Sequence, residues 1–161
     1  MINILTVNLA KQYGGVEKHI EDLISNVDRN KINIHILCRK DSIFEKKIVD
    51  NFRDINIIGM DFSKSKILKN IFQIRRYIKN NNINIIHSHG ISANLITMML
   101  KRKTVKTLNT VHGYSDFDRM ERSNLERYIF RKIEILSIKN NSKCIAVSKD
   151  IKRDLLKKGI D

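Results

Sequence analysis

Six short apolar runs, each followed by a stretch with helical spacing, divide this 161-residue chain, and that alternation limits the possible folds more than any other feature. The runs fall at residues 2–7, 32–38, 55–60, 83–87, 105–111 and 143–147. They are rich in isoleucine and valine, whose branched Cβ suits a pleated, buried strand. Between them, apolar residues recur every three or four positions, as in Val16, Ile20, Leu23, Ile24 and Val27. Further helices are expected at 41–52, 91–100, 121–139 and 149–158, with Leu125, Tyr128, Ile129, Ile133 and Leu136 facing inward in the third of these. One more helix carries Ile67, Leu68, Ile71, Phe72, Ile74, Tyr77 and Ile78, and Asn80-Asn81-Asn82 ends it because Asn tolerates left-handed geometry. Strands separated by helices pair in parallel through crossovers. The expected fold is α/β: one domain over 1–161, a doubly wound parallel β-sheet (Rossmann-like) in a three-layer sandwich. A strand order of 3-2-1-4-5-6 would place the ligand crevice at the carboxyl ends of strands one and four.

The strand tips on that edge carry the candidate chemistry. After strand one stands Tyr13-Gly14-Gly15, after strand four Ser88-His89-Gly90, after strand five His112-Gly113, and after strand six Ser148. Gly14 and Gly15 let backbone approach a ligand closely and leave helix N-terminal N–H groups to meet a phosphate. The turn is neither a dinucleotide fingerprint nor a P-loop, since G-x-G-x-x-G and G-x-x-x-x-G-K-[ST] are both absent. Glu17, in the first turn of the helix, suits the helix dipole, and Ser148 is first an N-cap. His87 and His89, two apart on a strand, share a face that a metal could use with His112 as third ligand. No Cys or carboxylate accompanies them, so a metal is not expected. His87 ends an apolar run and reads as a satisfied, partly buried ring. His89 and His112, each next to glycine, read as ligand-facing.

Charge is uneven along the chain. Residues 1–62 hold nine basic and nine acidic side chains, so the other 22 basic and eight acidic carry the whole net charge of +14. Residues 63–115 contain ten Lys or Arg and no acid. Lys69, Arg75, Arg76 and Lys79 lie on the polar face of the 67–80 helix and form a patch for an anionic membrane surface, the apolar stripe being needed to cover the sheet. Nucleic acid is not expected as a partner, because zinc spacing and a basic-aromatic platform are both missing. Cys38 and Cys144 sit inside apolar runs as free thiols of a reducing compartment. With a strand-like start lacking a basic n-region, this places the protein in the cytoplasm, peripheral on the inner face of the membrane.

The ordered set Gly14-Gly15-Val16-Glu17, INIIHSHG at 83–90, NTVHG at 109–113 and the 126–161 tail ending in IAVSKDIKRDLLKKGID resembles the N-terminal domain of family 4 glycosyltransferases of GT-B fold. The family's usual Pro-Asp before strand four is Ile83-Asn84 here. The resemblance implies a retaining, hexosyltransferase-type enzyme that moves a sugar from a nucleotide-sugar to a saccharide or lipid-linked acceptor in cell-surface glycan synthesis. It implies no metal and no cofactor besides the nucleotide-sugar co-substrate. Under it, Gly14 and Gly15 become the donor-phosphate loop. His112 becomes the catalytic histidine near the donor sugar, and Tyr13, His89, Gly90 and Gly113 become acceptor-side residues, with Glu17 and Ser148 at the edge of the site. It also implies a C-terminal, donor-binding domain in cis or trans, without which this half is expected to be inactive. A different class of function, a non-catalytic module that docks a partner chain, fits the same residues.

Overall fold

The computed structural model describes residues 1–113 and 123–160. Its elements are β1 (Ile2–Asn8), α1 (Gly15–Asn26), β2 (Ile32–Arg39), α2 (Ile43–Asn51), β3 (Asn56–Met60), a single 3-10 turn (Lys64–Lys66), α3 (Ile67–Asn80), β4 (Ile85–His89), α4 (Ile91–Leu100), β5 (Lys106–Val111), α5 (Asn124–Lys139), β6 (Lys143–Ala146) and α6 (Lys149–Lys157). All strand pairs are parallel in the order β3-β2-β1-β4-β5-β6, as expected for a doubly wound sheet. Among the described residues no helix is long and apolar enough to cross a membrane.

Alternation along the strands divides the core. Ile34, Ile36 and Cys38 of β2 point one way, into a cluster with Ile20 and Ile24 of α1 and Phe44 and Ile48 of α2. Leu5 and Val7 of β1 and Ile86 of β4 point the other way, against Ile71, Ile74 and Ile78 of α3 and Ala93, Ile96 and Leu100 of α4. Val111 continues that second face and packs with Ile138 of α5 and Leu155 of α6. Burying side chains of this size contributes roughly 1.5–3 kcal/mol each, so these three clusters supply the main drive for folding.

Helix ends follow their residues. Ser42 and Ser148 accept hydrogen bonds from the N–H of Glu45 and Ile151, capping α2 and α6. Asn82 takes φ +48° just after α3, and Gly159 takes φ +66° after α6.

Three boundaries or phases differ from expectation. First, β4 is Ile85–His89 and not 83–87. Ile83 N–H bonds back to Ile78 carbonyl at the exit of α3, whereas Ser88 and His89 are flanked by β1 and β5 and stay in the ladder. Second, Leu68 and Phe72 do not cover the sheet: each is 69% exposed. The inner stripe of α3 is already complete with Ile67, Ile71, Ile74 and Ile78, at i, i+4, i+7 and i+11, and residues 68 and 72 lie a third of a turn away. Third, α5 is helical but turned. Leu125, Tyr128, Ile129 and Leu136 are exposed, while Glu134, Ser137 and Ile138 are buried. Residues 121 and 122 of that expected helix lie outside the described residues.

Gly90 ends β4 at φ +80°, ψ 165°, a region open essentially to glycine alone. Gly90→Ala is expected to cost about 1–3 kcal/mol in thermal or urea unfolding. An unchanged midpoint would mean that the turn re-forms at a different φ.

Candidate functional site

At the carboxyl edge of the sheet, the β1–α1 and β4–α4 connections and the two residues after β5 line an open cleft of about 480 Å³. Tyr13, Gly14, Gly15 and Glu17 from the first, His89 and Gly90 from the second, and His112 and Gly113 from the third all line it. Ser148 is not among the lining residues and acts as the cap of α6.

The glycine turn is held from behind. Glu17 is 2% exposed. Its Oε2 accepts from Gly14 N–H at 2.7 Å and its Oε1 accepts from the side-chain amide of buried Asn8 at 2.7 Å. Asn8 also accepts from Ala10 N–H at 3.2 Å, so the end of β1, the loop and the first turn of α1 form one hydrogen-bonded unit. Gly14 N–H is therefore committed inside the protein, and the first-turn N–H groups of residues 15–17 remain as donors at the helix end. Gly14 has extended backbone, at φ −160°. A Cβ on Gly15 would meet nothing within 4 Å. Nothing inside the domain requires glycine at 15, and the open space belongs to the cleft.

Tyr13 is pinned to the same helix: its hydroxyl donates to Glu21 at 2.9 Å, and the Lys47 ammonium lies 3.9 Å above its ring.

The histidines form a cluster of four, since His19 of α1 joins His87, His89 and His112. Ring centroids are 4.2 Å apart for His87–His89, 5.3 Å for His89–His112, 5.0 Å for His19–His112 and 6.2 Å for His19–His89. His87 is buried, its Nε2 2.7 Å from Thr110 Oγ1. His89 is 2% exposed, and its Nδ1 lies 3.0 Å from His112 Nε2. His89 and His112, the two rings expected to face a ligand, both line the cleft: His112 is half-buried and His89 almost fully buried. His89 Nε2 is buried without a partner. A bare ring nitrogen is tolerated there better than an orphaned N–H. That favours His89 donating through Nδ1, with His112 accepting at Nε2 and carrying its own proton on Nδ1.

Burial pushes the ordinary pKa of these rings down, to about 4 for His87 and well below the usual range for His89. His112 is also lowered, chiefly by burial and by neighbouring His19, with Glu17 opposing. His87, His89 and His112 are thus held neutral, suited to hydrogen bonding with hydroxyls. Among the described residues no group of three His, Cys, Asp or Glu is arranged to hold a metal ion.

On the opposite face of the sheet, Ser88, Asn94 and Asn109 lock β4, α4 and β5 together. Asn109 Nδ2 donates to Asn94 Oδ1 at 2.8 Å and to Ser88 carbonyl at 3.0 Å, and Ser88 Oγ donates to Asn94 Oδ1 at 2.6 Å. This network fixes the turn at Gly90 relative to His112.

The basic patch divides in two. Lys69, Arg76 and Lys79 are exposed, but Arg75 Nη2 donates to Met99 carbonyl at 2.7 Å and ties α3 to α4.

Sequence reading passed over three site residues. His19 falls within the apolar stripe of α1, three residues after Val16, and that angular position was its signal. Asn8 falls just outside the expected first strand, 2–7, with no local mark of its role. Glu134, also a cleft-lining residue, sits on the face of α5 opposite the expected inward stripe.

The family model for Glycosyltransferase Family 4 matches residues 13–161. Comparison with curated proteins by sequence returns no match. Among solved structures, a glycosyltransferase from Rickettsia africae aligns with TM-score 0.70 at 24% identity, over 99% of this chain and 40% of that one. Sucrose-phosphate synthase from Thermosynechococcus elongatus aligns with TM-score 0.75 at 12% identity, over 98% and 45%. Anabaena Alr3699/HepE, in complex with UDP and glucose, aligns with TM-score 0.72 at 12% identity, over 100% and 42%. The chain spans less than half the length of these structures, one Rossmann-like half of a GT-B architecture.

Proposed function

The chain belongs to Glycosyltransferase Family 4, and we propose that it is the acceptor-binding half of a retaining glycosyltransferase that takes a sugar from a nucleotide-sugar. The observation that carries this reading is the meeting of the open turn at Gly15 and the half-buried His112 across one cleft, with the neutral rings of His87 and His89 beside them. A second, donor-binding domain, in cis or in trans, would close the other wall. The fold similarity to a protein crystallised with UDP and glucose supports a nucleotide-sugar donor. The acceptor is a saccharide or lipid-linked glycan of cell-surface synthesis, and the free thiols of Cys38 and Cys144 support a cytoplasmic setting.

In the reaction the C1–O bond to the departing phosphate breaks and a bond from the acceptor oxygen to C1 forms on the same face. The acceptor proton passes to the departing phosphate oxygen, so no protein nucleophile and no metal is required. His112 orients sugar hydroxyls and, through its ring or backbone carbonyl, stabilises positive charge developing at C1. The N–H groups at the start of α1 face the diphosphate. Tyr13, His89, Gly90 and Gly113 shape the acceptor side.

The test is transfer from a panel of nucleotide-sugars by this chain joined to its donor-binding half, with the product anomer read by NMR. Retention is expected, and the chain alone is expected to turn nothing over. Inversion, or full activity of the chain alone, would overturn the reading. Within that enzyme, Gly15→Ala is expected to leave stability within about 1 kcal/mol of the parent, on the stabilising side. It should nevertheless lower kcat/KM about tenfold or more by pushing the diphosphate outward. Unaltered kinetics would remove Gly15 from the donor loop.

A further inference from the structure

Leu68 and Phe72, exposed on the outer face of α3, do not stand alone there. Residues 68, 72, 76 and 79, at i, i+4, i+8 and i+11, form one stripe along the helix, so Leu68 and Phe72 lead directly into Arg76 and Lys79. Lys69 flanks the stripe. Every charged side chain on α3 and its leading 3-10 turn is basic, and among the described residues only Lys66 of these faces an acid, Asp61, at 2.7 Å. Two bulky apolar side chains at one end of a helix and unpaired cations at the other are a poor fit to water and a good fit to a bilayer interface.

We propose that α3 is a membrane-seating helix: Leu68 and Phe72 enter the acyl boundary of an anionic phospholipid leaflet while Lys69, Arg76 and Lys79 lie on its headgroup phosphates. The occupant follows from charge and shape together. A phosphate-rich polymer would use the cations and leave Leu68 and Phe72 in water, whereas a lipid surface uses both. The orientation also follows. Because α3 begins just after the carboxyl end of β3, its apolar end lies at the same sheet edge as the cleft, and the membrane would meet the domain there. If the transfer reading above holds, an acceptor carried on a lipid reaches the cleft from that side. The seating itself does not depend on that reading, so vesicle binding and sugar transfer can fail separately.

The chain contains no tryptophan, which makes Phe72→Trp a single fluorescent reporter at the inserted position. With vesicles of phosphatidylcholine and phosphatidylglycerol, its emission is expected to shift to the blue and to be quenched by bromine placed on the acyl chains. Vesicles of phosphatidylcholine alone should give neither effect. In sedimentation with the anionic vesicles, Leu68→Gln combined with Phe72→Gln is expected to weaken binding about 20-fold. Arg76→Gln combined with Lys79→Gln should weaken it about 30-fold. All four side chains are exposed, so circular dichroism melts of these variants should match the parent. The proposal is overturned if the parent does not bind the anionic vesicles or binds phosphatidylcholine equally. It is also overturned if the Gln pair at 68 and 72 changes nothing, or if the reporter on bound protein stays unshifted and unquenched, since adsorption would then rest on charge alone.

Discussion

Replacing His112 by alanine is expected to cut turnover of the two-domain enzyme about a hundredfold or more while the domain still folds. Under the proposed transfer reading, the size follows from the loss of a preorganised neutral group at the reacting centre, whose removal in comparable sites raises the barrier by roughly 3–4 kcal/mol. The structural cost is smaller. His112 is half-buried, and its removal leaves His89 Nδ1 without its 3.0 Å partner, a penalty of about 1–3 kcal/mol. His112→Gln separates the two effects. Its side-chain carbonyl can accept from His89 and restore stability, but it cannot reproduce the ring at the reacting centre. Single-turnover rates and urea midpoints on both variants decide the matter. If Gln recovers turnover along with stability, His112 is only a support for His89 and the catalytic assignment fails.

The second large effect is acid sensitivity. His87 has a folded pKa of about 4, below the unfolded value near 6.5. The unfolded chain therefore binds this proton first as pH falls. Stability is fully present above about pH 6.5, drops as pH passes through the interval, and levels off below about pH 4. For His87 alone the loss over that window is about 3 kcal/mol. His89 and His112 shift in the same direction and steepen the fall. Urea unfolding at a series of pH values should show the midpoint declining from pH 6.5 downward, well before most carboxylates titrate. His87→Asn should flatten the curve between pH 6 and 4.5 even if it lowers stability at pH 8. A midpoint that stays constant from pH 7 to pH 5 would show that the buried rings already share protons in the folded state.

Much of this was legible because strand residues announce themselves through composition and helices through period. The six strands, the N-cap Ser148 and the left-handed asparagine after α3 follow from local chemistry that tertiary contacts do not override, while the sheet order comes from the usual topology of such folds. What escaped was phase. In α5 the more apolar side, with Leu125, Ile129 and Leu136, turned out exposed, while Glu134 and Ser137 turned inward. Hydrophobic pattern predicts burial only where burial is the sole demand on a face, and here Glu134 lines a cleft while buried Ser137 donates to the Glu134 carbonyl of its own helix. Leu68 and Phe72 misled in the same way. The reach of β4 to His89 escaped for a different reason: a strand flanked on both sides keeps pairing through polar residues, and nothing local records that flanking. At the site, the tips were legible as glycines and histidines at strand ends. His19 and Asn8 were not, because a helix-borne ring and a buried amide acquire their roles only when three elements meet.

The carboxylate of Glu17, shared between Asn8 and the Gly14 amide, has a thermodynamic consequence for any ligand of the β1–α1 turn. A free glycine turn is a loose spring, and whatever grips it must first stop it moving, at about 1–2 kcal/mol per residue fixed. Here that ordering is complete once the domain has folded, so the diphosphate proposed for this turn would spend none of its binding energy on it. Calorimetry on the two-domain protein would register this as a donor-binding entropy that changes little between the parent and a variant with a stiffened turn, and a steep loss of affinity, entropic in origin, once Glu17→Ala sets the turn loose.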